Sequence, residues 1–89
     1  ELSRGTVRRI WNGKITGIET LNHELQHATD FSSGMYSRIW NGIGNNRADL
    51  TRSVMEFRAF YLSYQRTGLT MYQTSYQHWY NNYFNLLTP

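Results

Sequence analysis

The sequence of 89 residues contains no cysteine and only one proline. Without cysteine, neither a disulfide framework nor a thiolate metal site is possible, so a metal ion would have to be held by His, Asp or Glu. No stretch is long and apolar enough to cross a membrane, and residues 1–5 do not resemble a signal peptide. Because Glu1 is an unusual first residue, we expect residues 1–89 to be a single domain cut from a larger protein.

A strong charge imbalance is also missing. Nine basic and six acidic residues give a net charge of +3, and the basic residues are spread along the chain. Proteins that bind nucleic acid usually concentrate basic residues on one face, so neither nucleic acid nor a membrane is predicted as a partner. Aromatic residues, in contrast, make up 16% of the chain, and we expect them to form the core and a binding surface.

The predicted fold class is α+β, mainly α, with an N-terminal β-hairpin followed by about three helices. Residues 6–16 favour the hairpin because valine and isoleucine residues flank Asn12-Gly13, a preferred two-residue turn. The pentapeptide Arg-Ile-Trp-Asn-Gly of residues 9–13 occurs again at residues 38–42. The second copy is either chance or another tight turn after a short strand.

The first helix is predicted to begin near Thr16 or Thr20, where a hydroxyl and a following glutamate fit a capping box. His23 and His27 lie on the side of this helix opposite its apolar stripe. Four residues at helical spacing form that stripe and are expected to be buried: Ile18, Leu21, Leu25 and Ala28.

Two further helices are predicted over residues 47–66 and 71–87, with Gly68 ending the first of them. Their apolar and aromatic residues recur at helical spacing and predict one buried stripe on each helix. Residues 32–46 are rich in Ser, Gly and Asn and are predicted to form a long loop, a feature that is often functional.

The sequence His-Glu-Leu-Gln-His at residues 23–27 predicts a metal site. Residues four apart on a helix are neighbours, so the imidazoles of His23 and His27 can bind one ion. A catalytic zinc site takes a third protein ligand and leaves a position for water. The carboxylate of Glu24 can reach that water and act as the general base. The alternative interpretation is two surface histidines on a solvated helix face.

Glu56 is the predicted third metal ligand, because it lies at the edge of its helix's apolar stripe and its carboxylate can face the first helix. In the alternative interpretation, Glu56 pairs with Arg52 one turn earlier. Asp49 is the next candidate, although its position also fits the start of a helix. Asp30 follows His27 too closely to reach the ion easily, so we expect it to orient a ligating imidazole instead.

Residues 21–34 resemble the zincin family of metallopeptidases, through His-Glu-Leu-Gln-His-Ala followed by Asp30 and a Ser-Gly turn. The later Glu56-Phe57-Arg58-Ala59 resembles the gluzincin pattern, in which a glutamate of a downstream helix is the third ligand. The combination is similar to short metallopeptidase domains at the C-termini of bacterial polymorphic toxins and secreted effectors. It departs from the gluzincin pattern at Phe60, where many members carry an acidic residue that holds a ligating histidine.

The resemblance implies a minimal zincin-like domain that hydrolyses peptide bonds with Zn²⁺ as cofactor. It also implies a protein or peptide substrate, a cognate inhibitor or immunity protein, and secretion or export as part of a larger protein. An extended substrate would pair with the edge of the hairpin. A tyrosine is the expected donor to the developing oxyanion, and the candidates are Tyr72 and Tyr76, with His78 as a further one.

The alternative function is a catalytically silent zincin-like domain, in which the metal is structural and aromatic residues bind a protein partner. A structural metal site has no need of a general base. The presence of Glu24 therefore favours the peptidase.

Overall fold

The computed structural model describes the backbone of residues 4–88 and the side chains of residues 14–88. All regular secondary structure in this part of the chain is helical, and the prediction of an α+β fold with an N-terminal hairpin is wrong. No helix within it is long and apolar enough to cross a membrane. The four helices are α1 (Arg4–Ser32), α2 (Met35–Ile43), α3 (Ala48–Thr67) and α4 (Thr70–Leu87).

The predicted hairpin lies inside α1, a continuous helix of 29 residues. The apolar residues of this segment are spaced three and four apart and continue the stripe that begins again at Ile18, which is a helical period. Gly13 costs a helix about 1 kcal/mol, and a two-stranded hairpin is only marginally stable by itself. The helical period therefore outweighs the Asn12-Gly13 turn signal, and Thr16 lies within the helix rather than at its start.

The predicted loop of residues 32–46 is also mostly helix. Gly34, with a φ of 84°, separates α1 from α2, and Gly44, with a φ of 72°, ends α2. The second Arg-Ile-Trp-Asn-Gly copy therefore lies in α2, as the first lies in α1. An Asn-Gly pair favours a tight turn only where two strands flank it, and no strand occurs within residues 4–88.

Helices α3 and α4 begin and end within one residue of their predicted bounds. Gly68 is left-handed, with a φ of 69°, and its N–H donates to the Tyr64 carbonyl, so it ends α3 as predicted. The two helices pack along each other as a hairpin, and Asn82 of α4 donates to the Ser53 hydroxyl of α3 at 2.8 Å. Their interface contains a connected set of ring contacts, among Phe57, Tyr61, Tyr64, Tyr76 and Tyr80.

Helix α1 packs on α3 through its polar side, which corrects the predicted orientation. The apolar stripe is exposed, with Ile18, Leu21 and Leu25 at 52%, 60% and 53% of their full accessibility. Full burial of such a side chain in a core typically contributes about 1.5–3 kcal/mol to stability, and these half-exposed side chains lose much of that contribution. The orientation must therefore be set by the polar groups that face α3.

Two acidic side chains of α1 pair with arginines of α3 beneath the helix. Glu19 accepts from Arg66 at 2.7 and 3.0 Å, and Asp30 accepts from Arg58 at 3.2 and 3.3 Å. Both acids are buried, and Asp30 is only 1% exposed. An unpaired buried carboxylate is strongly destabilising, so these pairs determine which side of α1 faces α3.

We expect Asp30→Ala to destabilise the metal-free protein by about 2–4 kcal/mol, because it leaves the Arg58 guanidinium without its buried partner. This value is below that of a fully buried pair because the Arg58 side chain is 37% exposed and partly screened by water. Urea unfolding followed by circular dichroism, with a chelator present, measures the change. Asp49→Ala is the matched control, since its exposed pair with Arg47 should contribute little. Equal stability of the two variants would contradict a structural role for the Asp30 pair.

Candidate metal centre

The structure brings together the three predicted metal ligands. His23 and His27 lie one turn apart on α1, and Glu56 approaches them from α3. The Nε2 atoms of the two histidines are 3.0 Å apart, and each lies 3.0 Å from an oxygen of the Glu56 carboxylate. All three side chains are largely buried, at 12–21% exposure. Their ligand atoms therefore converge on one point.

The spacing of these atoms fits a metal ion. Ligand atoms that bind one zinc ion at about 2.0–2.1 Å lie about 3.0–3.4 Å from one another. Two histidines and one carboxylate are also a known ligand set for catalytic zinc. Within residues 14–88, only His23, His27 and Glu56 form such a group of three potential ligands. The cluster could therefore hold a metal ion.

Phe60 lies at the position where the gluzincin pattern has an acidic residue that holds a ligating histidine. Its ring packs on the His23 imidazole, with ring centroids 4.4 Å apart. The Nδ1 atom of His23 is buried and has no hydrogen-bond partner among the described residues. Metal-binding histidines usually donate this second N–H to a carboxylate or carbonyl. Here the His23 ring packs against Phe60 and its Nδ1 has no such partner, as the lack of an acidic residue at position 60 implies.

The remaining acidic candidates are engaged elsewhere. Asp30 accepts from Gln26 at 2.9 Å and from Arg58, and it contacts no described imidazole, so the expected orienting role is wrong. Asp49 lies in the first turn of α3 and accepts from Arg47, whose hydrogen bonds lower the pKa of that carboxyl to about 2. Arg52 does not pair with Glu56. Its guanidinium lies over the Trp79 ring, 5.4 Å from the centroid.

Glu24 lies beside the metal cluster on the rim of a cavity of about 320 Å³. Its side chain is exposed and forms no hydrogen bond or ion pair with another described residue. The cavity is also lined by the ligand His23, so the same space adjoins a metal ligand and a free carboxylate. A general base likewise needs a carboxylate that is free to accept a proton.

A second cavity, of about 180 Å³, adjoins the other side of the cluster. It is lined by the candidate ligands His27 and Glu56 and by two residues that carry hydrogen-bond donors, Tyr36 and Arg52. Tyr36 is not among the predicted site residues, because residues 32–46 were predicted to form a loop. Its ring stacks on Phe31 with the centroids 4.4 Å apart, and the apolar spacing of α2 was the signal that could have located it.

The predicted oxyanion donors lie at different distances from the cluster. Tyr72 lines the larger cavity, but it is buried, and burial raises its pKa while the neighbouring Thr16 acts in the opposite direction. Tyr76 belongs to the aromatic interface of α3 and α4. His78 is exposed beside Trp79. Neither Tyr76 nor His78 lines a cavity together with a metal ligand.

The buried pair of Glu19 and Arg66 should make stability depend on pH. The hydrogen bonds from Arg66 lower the pKa of Glu19, although burial opposes them. In the unfolded chain the carboxyl titrates at about 4.3, so its stabilisation is complete above that pH and is lost as the pH falls through the lower folded value.

We therefore expect the unfolding free energy of the metal-free protein to fall less steeply between about pH 5 and 3 in Glu19→Gln than in the wild type. Urea titrations at several pH values measure both slopes. Identical slopes would show that Glu19 has the same pKa in the folded and unfolded chains.

Comparison with known proteins adds no assignment. The chain matches no family model, no curated protein and no solved structure. The conclusions about its function therefore rest on the geometry of the site itself.

Proposed function

We propose that this protein is a zinc-dependent metallopeptidase, with His23, His27 and Glu56 as metal ligands and Glu24 as general base. The observation that carries the proposal is the convergence of three potential ligands beside a free carboxylate: the two imidazole Nε2 atoms are 3.0 Å apart, and each lies 3.0 Å from a different oxygen of Glu56. A structural site alone would explain the three ligands. It would not explain an unpaired Glu24 on the rim of an adjoining cavity.

Peptide hydrolysis at this site would use two proton transfers through Glu24. His23, His27 and Glu56 would hold the zinc ion, which would lower the pKa of water to about 7 and polarise the substrate carbonyl. Glu24 accepts a proton from the water as its oxygen attacks the carbonyl carbon. The same carboxyl then donates that proton to the amine nitrogen as the carbon–nitrogen bond breaks. The exposed position of Glu24 allows it to reach both the water and the leaving group.

Tyr36 and Arg52 are the proposed donors to the developing oxyanion. Both line the cavity on the His27 side of the cluster, whereas Glu24 lines the cavity on the His23 side. Donors on one side and a base on the other leave the carbonyl between them. An arginine or a tyrosine hydroxyl supplies the positive or polar group that a negatively charged oxygen requires.

The substrate must bind by another route than the one the sequence suggested. Within residues 4–88 there is no strand edge with which an extended peptide could pair. The proposed binding surface is instead the pair of cavities that flank the cluster. Export as part of a larger protein, a role as a toxin or effector domain, and a cognate inhibitor or immunity protein are further parts of the proposal, which rest on the resemblance to zincins.

We expect one zinc ion per chain, with Glu56→Ala reducing the affinity at least about tenfold, because it removes one of three ligands. Substitution of a residue that only hydrogen-bonds to a metal ligand typically reduces metal affinity about 10–100-fold, so loss of a ligand itself should reduce it at least as much. Competition titration with a chromogenic chelator measures the affinity, and elemental analysis identifies the metal. Asp49→Ala is the matched control and should retain wild-type affinity. Stoichiometric iron with no zinc would contradict the proposal, because the same ligand set also occurs in iron oxygenases.

We expect Glu24→Gln to retain zinc and to reduce hydrolysis of a denatured protein substrate by about 10²–10⁴-fold, since the amide cannot accept a proton. Product formation by mass spectrometry measures the rate. Asp49→Asn removes an equally exposed carboxylate away from the cluster and should leave the rate unchanged. If the wild type binds zinc but hydrolyses nothing, the domain is a silent metal-binding module instead.

A further inference from the structure

The cavity beside Glu24 is a cleft between α1 and α4, with α3 as its floor. No Cα atoms of the described parts of α1 and α4 approach within 8 Å of each other, so the two helices form separate walls. The α1 wall presents residues at spacings of three and four, and its last members are His23 and Glu24. The cleft therefore leads along α1 directly to the metal cluster.

The cleft is lined by apolar surface at its floor and far wall. Phe60 projects from α3, while Met71 and Tyr72 project from the first turn of α4. Met71 is half exposed at the mouth, and the Thr16 hydroxyl reaches across from α1 to its sulfur at 3.9 Å. A methionine is flexible and polarisable, so this wall can adapt to apolar groups of different shape.

One of the two acidic groups that line the cleft is already neutralised. Glu19 is 5% exposed and accepts three hydrogen bonds from Arg66 and a fourth from Asn22 at 3.3 Å. A basic ligand would have to displace the guanidinium from a buried carboxylate, which is costly. At the other end, the free carboxylate of Glu24 repels an acidic ligand. The cleft therefore disfavours acidic side chains, and Glu19 offers a basic side chain no unpaired charge.

We propose that the cleft between α1 and α4 binds one large apolar side chain of the substrate, next to the peptide bond that is cleaved. This inference rests on the proposed peptidase function for its position in the reaction, but the binding itself does not. The cavity of about 320 Å³ lies at the lower end of the range for ligand pockets, which suits a single leucine, methionine or phenylalanine side chain. Burial of that side chain against Phe60, Met71 and Tyr72 supplies the affinity.

The first test measures binding without hydrolysis. The chain has three methionines, and only Met71 lines this cleft. Met35 lines neither cavity at the cluster, so its methyl resonance is the internal control. We expect N-acetyl-phenylalaninamide and N-acetyl-leucinamide to shift the Met71 methyl in a saturable way, and N-acetyl-glutamic acid amide to shift it at least tenfold less at equal concentration. No saturable shift, or equal shifts with all three amides, would overturn the inference whatever the peptidase activity.

The second test measures selectivity with a mixed peptide library and the zinc-loaded protein. Cleavage products should show leucine, methionine or phenylalanine about tenfold or more in excess at one position beside the cleaved bond. Met71→Glu should retain zinc and reduce that preference relative to lysine about tenfold, because it places a carboxylate at the mouth. A glutamate also suits the first turn of a helix, so the variant should fold.

Leu87→Glu is the matched control, because Leu87 is as exposed as Met71, lies on the same helix and lines no cavity at the cluster. It should retain the wild-type preference. Cleavage with no preference at either position, or an unchanged preference in Met71→Glu, would overturn the inference and leave the proposed function standing. Absence of any cleavage, with a saturable Met71 shift, would reject the peptidase and retain the apolar binding site.

Discussion

The structure depends on the polar interface between α1 and α3. Along that interface, α1 presents an acid, a pair of imidazoles and a second acid, and α3 presents a matching group to each: Arg66, Glu56 and Arg58. Paired buried charges have strict geometric demands, and one unpaired member is strongly destabilising. A shift of one helical turn, about 5.4 Å, would break every pair at once. The interface therefore specifies both the face of α1 and its register on α3.

Along α1, the candidate metal cluster lies between Glu19 and Asp30. Both acids pair with arginines of α3, the helix that also carries Glu56. Rigid support of this kind positions ligand atoms more accurately than a loop does. The arrangement also explains why His23 can rely on packing against Phe60 rather than on a second hydrogen bond. The two ion pairs fix the position of α1 on α3, and packing against Phe60 takes the place of a hydrogen bond to Nδ1 of His23.

The helical architecture changes how a peptidase of this kind would receive its substrate. The cluster is flanked by a cleft between α1 and α4 and by a smaller cavity beside α2. Glu24 borders the first, whereas Tyr36 and Arg52 border the second. Burial of a substrate side chain in the cleft would therefore replace the backbone pairing with a strand edge that the resemblance to zincins implies. Substrate selection would depend on shape and on exclusion of acidic side chains rather than on an extended backbone.

Sequence alone determined the features that depend on neighbouring residues. The four-residue spacing of His23 and His27 makes them neighbours on any helix, and Gly68 ends α3 because a left-handed residue is easiest for glycine. The Asn-Gly pairs were misleading, because a tight turn needs partner strands that residues 4–88 do not form.

Only the tertiary structure decided which side of α1 is inside. Apolar spacing predicted that Ile18, Leu21 and Leu25 are buried, yet they are exposed. The pairing of Glu19 and Asp30 with arginines of α3 joins residues 47 and 28 positions apart, and no local pattern in the sequence encodes such distant matches. The place of Glu56 opposite the histidines follows from the same long-range pairing. Interactions between distant charges therefore determined the site geometry, while local spacing determined only which side chains were available to form it.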